Sequence, residues 1–405
     1  MRILVVTHGG GSPYHGPNMR WYYLGRALQE KDAHVGIVSS SFFHKYFNQP
    51  FVPSLTKKEV IDGVSYHWIK TNKYSGRFFQ VLNQIFFSVM AFFLLPGIVR
   101  AGNYDVVVAS SPHPLIVYAA KRCSKVVNIP WIYEVRDLWP LVIQQLSGAS
   151  DKNPYIRLLS FTERYAVRNA DSVVSVKPGD GEYFHEQYGL PASRFYYVPN
   201  GFFPSPGSQN SEHKPQDDFV VGYVGALSTY YCIDDLIEAA KELSGERGIR
   251  FRVVGGGEDY GRLKELVSYY GLSNVSFSGK VTRAQVSKEL SMFDVCYVGL
   301  KNVDANLYGI SCNKIFEYMY ASKPIISNYR SNYDPVKMAS CGVSVFPGSS
   351  SEIAEAVRNM RENPSIAAEM GKKGREYFDA NHDFRLISDV YMKVIQDVLS
   401  GPSND

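Results

Sequence analysis

Cysteine is scarce in this sequence and is not arranged for a structural role. The five cysteines among 405 residues lie far apart, and no two of them form a Cys-x-x-Cys pair. A disulfide framework and a zinc site both need closer, paired spacing, so we expect neither. The first residues, MRILVVT, are also too few and too soon followed by glycines to form a secretory signal. We therefore expect a cytoplasmic protein.

Low-complexity sequence is absent as well. Glycine (33) and proline (21) stay well below the levels of disordered or fibrous chains, while 45% of the residues are hydrophobic and 20% are charged. This composition provides ample material for packed cores. A chain of 405 residues exceeds what one core usually organises, so we expect two domains.

The sequence carries no basic stripe that would indicate nucleic-acid binding. Its formal net charge is +4, but residues 1–200 hold 21 Lys and Arg against 13 Asp and Glu, and the remainder holds 22 against 26. The basic residues of the first half are scattered, without a recognition helix or zinc finger. An anionic membrane surface or a phosphorylated acceptor suits this half better than nucleic acid does.

Short apolar runs alternate with segments of helical spacing in both halves, which is typical of parallel α/β sheets. The predicted strands are 2–7, 34–40, 104–111, 130–135, 171–176, 195–199, 219–226, 251–257, 275–279, 294–300, 324–327 and 342–347. The pattern predicts two Rossmann-like domains, 1–203 and 218–380, joined by a linker at 204–217. A last segment, 381–405, is predicted as a helix that packs back on the first domain. Ligands of such sheets bind at the carboxyl ends of the strands, so we expect the chemistry in a cleft between the two domains.

Residues 78–99 depart from this pattern because only Ser88 is polar between Ile85 and Leu95. No stretch reaches the 18 to 20 apolar residues, roughly, that a spanning helix needs. Two interpretations remain open. The segment is either a buried helix of the first domain or a monotopic element that dips into a bilayer.

Glycine-rich loops follow strands in both halves. Gly9, Gly10 and Gly11 follow the first strand, where backbone N–H groups can approach a phosphate, although a tight turn explains them equally well. No acidic residue ends the second strand, so a nicotinamide dinucleotide site is disfavoured. In the second half, Gly255, Gly256 and Gly257 repeat the arrangement, and Gly225 closes the neighbouring strand.

The segment GISCNKIFEYMYASKPII (309–326) combines a glycine, a polar turn, a helix and a strand. Ser311 stands at the expected N-cap, where a capping box would have Glu or Gln at position 314, but this chain has Lys314. A cation in a first turn opposes the helix dipole, which makes sense if an anion binds there. Glu317, one turn later, has the carboxylate needed to accept hydrogen bonds from a ribose diol. Exposed side chains in contact with solvent are the alternative for both residues.

The same segment resembles the donor site of retaining glycosyltransferases of the GT-B fold, family four, in which a Glu-x7-Glu pair precedes the last strands. The stretch 168–203, with Ala-Asp before a strand and Pro-Asn-Gly at its end, resembles the end of that family's first domain. SSPHPL (110–115) and EVRDLWP (134–140) resemble the subgroup of bacterial O-antigen and capsule aminosugar transferases. The resemblance covers nearly the whole chain. It implies an acceptor-binding first domain and a nucleotide-sugar-binding second domain.

Several positions depart from the family pattern. Glu317 aligns with the second Glu, which implies ribose binding, but Gly309 takes the place of the first. The Arg and Lys that usually bind the pyrophosphate are replaced by Ala226 and Tyr231. Positive charge must then come from Lys314, assisted by Lys301 or Lys280. The other donor-site candidates are Gly225, Gly255, Gly256, Gly257, Val281, Ile310, Ser311 and Asn313.

The first domain contributes the remaining candidates. The resemblance to the SSPHPL turn favours substrate contact for His113, and Arg136-Asp137 stands where the family commonly has a His before Asp. Arg136 and Asp137 are therefore candidate catalytic residues beside His113 and Lys314. Gly9, Gly10, Gly11 and Arg20 are assigned to a loop that contacts the acceptor or a phosphate.

Together these features predict a retaining glycosyltransferase that moves an N-acetylated deoxy-hexosamine or hexose from a UDP-sugar to a lipid-linked or glycan acceptor. No Asp-x-Asp or His cluster offers metal ligands, so no metal and no cofactor beyond the donor are expected. Such an enzyme would be cytoplasmic or peripheral on the inner face of the cell membrane. The alternatives are a UDP-sugar epimerase of GT-B fold and a non-catalytic, membrane-associated subunit that binds nucleotide-sugars.

Overall fold

A computed structural model describes residues 1–111, 113–204 and 218–401. The chain divides into two compact units. One comprises Met1–Asn200 together with the C-terminal segment that begins at Phe384, and the other comprises Gly201–Asp383. The predicted domain limits at 203 and 381 lie close to these divisions, and all but the first residue of the predicted linker 204–217 lies outside the described residues.

The first unit contains an eight-stranded sheet. Its strands are β1 (Arg2–Val6), β2 (His34–Ser40), β3 (Thr56–Ile61), β4 (Val64–Ile69), β5 (Val106–Ser110), β6 (Trp131–Val135), β7 (Ser172–Ser175) and β8 (Phe195–Tyr197). The strand order is β3-β4-β2-β1-β5-β6-β7-β8, and all pairings are parallel except that of β3 with β4. Strands β1 and β5 are almost continuously apolar because helices cover both faces of a parallel sheet.

Six helices precede the second unit. They are α1 (Arg20–Gln29), α2 (Arg77–Gly102), α3 (Ile116–Val127), α4 (Leu141–Ser147), α5 (Pro154–Asn169) and α6 (Asp180–Tyr188). The β3–β4 hairpin was not among the expected elements, although its Asp62-Gly63 turn is a recognised hairpin signal. Strand β3 lies at the edge of the sheet and contains two lysines and a glutamate. Its sequence therefore does not show a clear apolar alternation.

Helix α2 corrects the expectation that no segment is long and apolar enough to span a membrane. It has 26 residues, and Phe78–Gly102 reaches that threshold by length and composition, with a mean hydropathy of 1.9. Phe87, Ala91, Leu95 and Val99 form a fully buried stripe at every fourth position. The opposite face is exposed, and one third of the apolar window is buried. The buried-helix interpretation therefore holds for one face of α2, and bilayer contact of the exposed face stays a prediction.

The second unit contains a six-stranded, wholly parallel sheet. Its strands are β9 (Phe219–Ala226), β10 (Ile249–Gly256), β11 (Val275–Gly279), β12 (Val295–Gly299), β13 (Ile325–Asn328) and β14 (Gly342–Val345). Their order is β11-β10-β9-β12-β13-β14. The helices are α7 (Ile233–Glu242), α8 (Tyr260–Tyr269), α9 (Arg283–Ser291), α10 (Asn313–Tyr320), α11 (Pro335–Met338), α12 (Ser350–Glu362) and α13 (Pro364–Asn381).

Two apolar layers enclose this second sheet. Along β9, Val221 and Tyr223 join the layer that contains Leu236 of α7, whereas Val220 joins the layer that contains Phe316 of α10. This alternation is the period of two that a strand imposes on its side chains. The layers fix α10 against the sheet, and they thereby fix the position of Lys314.

The final helix, α14 (Phe384–Ser400), belongs to the first unit. The rings of Tyr391 on α14 and Trp21 on α1 meet edge to face, with centroids 5.0 Å apart. Lys31 and Asp389 form an ion pair between the end of α1 and α14. The C-terminal helix thus packs on α1, far from it in sequence.

Candidate active site

Glycines at the carboxyl ends of β9 and β10 form a close backbone contact in the second unit. Gly255 is paired with Gly225 in the sheet register, and φ is +143° and +157°, respectively. A Cβ atom on Gly255 would lie 1.8 Å from the Gly225 carbonyl oxygen, which no other residue could tolerate. Gly257 meets the Leu227 carbonyl in the same way, at 2.0 Å. The glycine backbone at this edge of the sheet is therefore bare of Cβ atoms, which lets the backbone segments approach each other closely.

Lys314 lies against this bare backbone. Its Nζ donates a hydrogen bond to Tyr223 Oη at 2.7 Å and lies 3.6 Å from the centre of the Tyr231 ring. The Tyr223 ring centre is 4.3 Å away, and a Cβ atom on Gly225 would be only 2.9 Å from Nζ. Two aromatic faces therefore hold the ammonium group at the carboxyl end of β9. We call Tyr223, Tyr231 and Lys314 the lysine cage.

Burial lowers the pKa of Lys314 to about 8. The cause is loss of hydration, which disfavours the charged form, while Cys312 and Glu317 partly offset it. Most of the lysine still carries its proton at pH 7. An anion placed against Nζ would stabilise the proton further, so the cage is suited to bind a negative group such as a diphosphate.

Helix α10 begins one residue later than the sequence suggested. Cys312 is the N-cap and Asn313 the first helical residue, so the expected N-cap at Ser311 is incorrect. Lys314 remains in the first turn, as expected, and Asn313 is exposed beside it. Ile310, by contrast, is buried in the apolar layer that also contains Phe316, so only its backbone could serve a ligand.

Gly309 has φ at +129°, a region that favours glycine. Its N–H donates to the Asn306 carbonyl at 3.1 Å, and the residue is buried. A glutamate here would be strained.

Lys280 and Lys301 lie at the ends of neighbouring strands. The Lys280 stem crosses Gly256, where a Cβ atom would be 2.8 Å from the lysine Cγ and Cε. Lys301 follows β12, and its backbone N–H donates to the Tyr230 carbonyl at 2.8 Å, which ties it to the turn that carries Tyr231. Val281 is half-buried against the apolar layer of Phe316. The structure thus brings Lys314, Lys280 and the predicted glycines to one edge.

Glu317 lies on α10, one turn after the cage, and forms an ion pair that the sequence did not reveal. Arg283 Nη1 at the start of α9 donates to Glu317 Oε1 at 2.8 Å. The guanidinium of Arg283 lies 5.0 Å from the centre of the Phe202 ring. Side-chain exposure is 47% for Arg283 and 16% for Glu317. Arg283 thus orients a half-buried carboxylate while remaining open to solvent.

The glycine loop of the first unit differs from the expected phosphate cradle. The N–H of Gly10 donates to Ser39 Oγ at 2.8 Å and that of Gly11 to the Asn18 carbonyl at 3.3 Å. Gly9, Gly10 and Gly11 are buried, and α1 begins only at Arg20. The two amides already have protein acceptors. These contacts support the alternative of a tight, packed turn, and phosphate binding by this loop stays a prediction.

Arg20 likewise has a structural role in this conformation. It is 4% exposed, and its Nε donates to Glu134 Oε2 at 3.2 Å. Nη1 donates to the Pro199 carbonyl at 2.6 Å and Nη2 to the Val198 carbonyl at 2.9 Å. The assignment of Arg20 to an acceptor or phosphate loop is therefore corrected. It joins β6 to the end of β8 inside the first unit.

His113 is 3% exposed and lies between the sheet and α2. The N–H of Leu115 donates to Nδ1 at 3.3 Å, so Nε2 carries the proton and donates to Ser88 Oγ at 3.2 Å. Burial lowers the pKa of His113 well below its ordinary value, so the ring is neutral. Its surroundings do not support a direct substrate contact in this conformation.

His8 was not among the predicted site residues, although it follows β1 at the same edge of the sheet. Its ring centre is 5.6 Å from that of His113, and its Nε2 is 2.7 Å from Asn83 Oδ1 on α2. Burial lowers the pKa of His8 to about 4. The sequence could have identified His8 as a site candidate, because it directly follows the first apolar strand.

Arg136 and Asp137 are half-buried at the end of β6. The Arg136 N–H donates to Ser111 Oγ at 2.9 Å, and burial lowers the pKa of its guanidinium. Burial also raises the pKa of Asp180, at the start of α6, to about 7, and the charge of Asp137 acts in the same direction. The carboxyl end of the first sheet thus holds titratable groups, of which Asp180 was not predicted.

Comparisons with known proteins cover both units. Residues 15–201 match the family described as glycosyl transferase 4-like domain, and residues 206–377 match glycosyl transferases group 1. Among solved structures, sucrose-phosphate synthase from Thermosynechococcus elongatus superposes with a TM-score of 0.74 and 18% identity, covering 99% of each chain.

Two further solved structures are similar over nearly their whole length. HepE from Anabaena, in complex with UDP and glucose, has a TM-score of 0.65 and 18% identity, covering 98% of this chain and 99% of its own. WaaG, a glycosyltransferase of lipopolysaccharide biosynthesis, has a TM-score of 0.69 and 15% identity, with 97% and 99% covered. No curated protein matches significantly. The predicted GT-B fold of two Rossmann-like domains is confirmed.

Proposed function

The chain combines a glycosyl transferase 4-like domain with a glycosyl transferases group 1 region, which together cover most of its length, and from this premise we propose a specific reaction. The chain transfers an N-acetylated deoxy-hexosamine or hexose from a UDP-sugar, with retention of the anomeric configuration. The acceptor is lipid-linked or a glycan, in the assembly of a bacterial surface polysaccharide. The lysine cage beside the bare backbone of Gly225 and Gly255 is the observation that carries this proposal.

The cage supports a role in binding and releasing the diphosphate. A charged Nζ held between two rings is poorly hydrated and already positioned, so little reorganisation is needed when a phosphate arrives. As the glycosidic bond breaks, negative charge grows on the diphosphate, and the attraction to Lys314 grows with it.

Glu317 is assigned to the ribose. Its carboxylate can accept hydrogen bonds from vicinal hydroxyls, and its ion pair with Arg283 sets its orientation. HepE, which has the same fold, was solved in complex with UDP, and this supports uridine as the nucleoside of the donor. UDP is therefore the nucleotide that we assign to the donor.

The transfer itself is a substitution at the anomeric carbon. The acceptor hydroxyl oxygen forms the new bond on the face from which the diphosphate departs, and a phosphate oxygen of the leaving group takes the hydroxyl proton. Lys314 and the first-turn amides of α10 balance the charge of the departing UDP. No metal is assigned to this step.

The first unit is assigned to the acceptor and to the membrane surface. Residues 1–200 carry a charge excess of +8, and α2 exposes Phe78, Val89 and Phe93. Exposed phenylalanines beside basic residues suit the interface of an anionic bilayer. The protein would therefore work on the inner face of the cell membrane.

The first experiment is thermal unfolding with UDP, GDP or dTDP. A nucleotide at 100 times its Kd adds about 2.7 kcal/mol to the stability of the folded state. That corresponds to a rise of about 5–10 °C in the Tm of a domain of this size. We expect the largest rise with UDP, and equal shifts for all three nucleotides would contradict the assignment of the base.

The second experiment separates the proposed transfer from its alternatives. UDP-sugars are incubated with and without lipid extracts, and free UDP is measured together with the sugar nucleotide that remains. Release of UDP that requires an acceptor supports transfer, and NMR of the product then gives its anomeric configuration. Conversion to another UDP-sugar without acceptor would instead indicate an epimerase. Tight UDP binding without any turnover would indicate a binding subunit.

A further inference from the structure

A cavity of about 290 Å³ opens between the first turns of α2 and the segment that precedes it. Phe79, Leu82 and Phe86 form one wall, and their spacing of three and four residues puts them on one face of the helix. Residues 72–74 form the opposite wall. The volume lies near the lower limit of small-molecule pockets, so it fits part of a long ligand rather than a whole one.

Hydrogen bonds hold the polar wall in place. Asn83, also lining the cavity, donates from Nδ2 to the Asn72 carbonyl at 2.6 Å, and its Oδ1 lies 2.7 Å from His8 Nε2. Tyr74 Oη lies 2.8 Å from His44 Nδ1. The cavity is therefore built by fixed side chains. Through Asn83 it adjoins His8, which follows β1 at the carboxyl edge of the sheet, where ligands of such sheets bind.

The chemistry of the walls selects the ligand. Two phenylalanines and a leucine offer hydrocarbon surface, whereas Lys73 is exposed at the rim and offers one positive charge. A free glycan would leave this apolar wall unused. An amphiphile with a hydrocarbon chain and an anionic head satisfies both parts of the cavity.

We propose that this cavity binds the head-proximal part of the hydrocarbon chain of a phosphorylated lipid acceptor, with its phosphate at Lys73. The exposed side chains Ile85, Val89 and Phe93 continue the apolar surface along α2, so the rest of the chain can follow the helix toward the bilayer. This proposal rests on the proposed function for the role of the lipid as acceptor. It adds the site that receives the lipid.

The test measures binding of decyl phosphate, below its micelle concentration, to the full chain without any UDP-sugar. Phe79→Ser removes a ring that lines the cavity, and Phe78→Ser removes the neighbouring ring, which is 70% exposed and does not line it. We expect Phe79→Ser to weaken binding about 10-fold and Phe78→Ser to change it less than about 2-fold. Circular dichroism confirms that both variants fold.

Two further variants test the positive charge of Lys73 and the free volume of the cavity. Lys73→Ala is expected to weaken binding of decyl phosphate about 3-fold while leaving decanol binding unchanged. Leu82→Trp fills the cavity and is expected to abolish binding of both. Inorganic phosphate alone should not compete, because the hydrocarbon wall provides most of the affinity.

An equal loss of affinity for decyl phosphate in Phe79→Ser and Phe78→Ser would overturn the proposal. The affinity would then come from the whole exposed face of α2 and not from the cavity. Unchanged binding in Leu82→Trp, or displacement by inorganic phosphate, would also overturn it. Because no donor is present, these outcomes stay readable if UDP fails to bind. If the donor experiments fail, the bound lipid is no longer assigned as an acceptor, but the proposal that the cavity binds lipid still stands.

Discussion

If UDP binds at the lysine cage, as proposed, its affinity is expected to depend on pH. The perturbation is a rise in pH from 7 to 9. Lys314 attracts the diphosphate only while it is protonated, and burial lowers its pKa to about 8. Affinity should therefore be full below pH 8 and should fall as the pH rises through that value.

The size of the effect follows from the protonated fraction. With a pKa of about 8, roughly nine tenths of Lys314 is protonated at pH 7 and one tenth at pH 9. The Kd for UDP should therefore increase about 10-fold over this range, equivalent to ~1.4 kcal/mol. Most of the terminal phosphate of UDP has lost its second proton by pH 7. The uracil N3–H begins to ionise toward pH 9, and this contribution is the same for the natural protein and for its lysine variants. Burial raises the pKa of the nearby Cys312 thiol, so it moves away from this range.

Isothermal titration calorimetry at pH 7, 8 and 9 provides the measurement. Two buffers of different ionisation enthalpy report the proton that UDP binding brings to Lys314 at pH 8 and above. Lys314→Met keeps the length of the side chain without its charge. This variant should bind UDP more weakly, and its Kd should not change between pH 7 and pH 9. Lys280→Met, at an exposed lysine on the same sheet edge, should keep the slope of the natural protein.

Equal affinity for UDP at pH 7 and pH 9 in the natural protein would refute the role of Lys314. A slope retained in Lys314→Met would refute it as well, because another group would then titrate. If the pH dependence of the Kd disappears in Lys280→Met and persists in Lys314→Met, the phosphate-binding role belongs to Lys280 and not to Lys314.

Four further outcomes are expected. Glu317→Gln should raise KM more than it lowers kcat and should weaken both UDP and free uridine, measured by steady-state kinetics and calorimetry, since ribose contacts change little during the reaction. Transfer should persist in excess EDTA because a lysine and a helix end neutralise the diphosphate, and activity that returns only with Mg²⁺ or Mn²⁺ would contradict this. Phe93→Ser, at a 65% exposed ring, should release the protein from anionic liposomes in a flotation assay, whereas Phe87→Ser, at a fully buried ring, should cost about 3 kcal/mol or more in chemical denaturation. Arg20→Met should destabilise the first unit by about 3–5 kcal/mol because the buried carboxylate of Glu134 loses its ion-pair partner and keeps the neutral donors Trp21 and Ser110, and UDP binding at pH 7 should stay unchanged in the folded protein.

Most of the architecture could be predicted because it depends on local periodicity. The apolar runs of β1, β5, β9 and β12 are nearly continuous, and the helices between them have regular spacing. The glycines at the carboxyl edge of the second sheet and Lys314 in a first turn were equally readable, since short-range rules govern both. The β3–β4 hairpin was not predicted because an edge strand with Lys57 and Lys58 lacks the apolar alternation of a strand that is covered by helices.

What could not be predicted depends on contacts between distant positions. Arg20 meets Glu134 and the backbone near 198–199, more than a hundred residues away, and nothing in its own neighbourhood distinguishes a buried arginine from a phosphate ligand. Arg283 and Glu317 are 34 residues apart and meet only because α9 and α10 are packed together. Helix α2 was ambiguous for another reason. Its composition is apolar on all sides, so only the packing reveals which face is core.

The departures at Ala226 and Tyr231 acquire a physical meaning from the cage. Where the resembled family has two fixed cations beside the pyrophosphate, this chain has a ring that carries the ammonium of Lys314 on its face, at 3.6 Å. An arginine would keep its charge at any physiological pH, whereas a lysine desolvated between two rings loses part of it near pH 8. Replacing one cation by an alanine and the other by a tyrosine would therefore concentrate the electrostatic contribution in one titratable side chain. The expected pH dependence of UDP binding follows from that replacement.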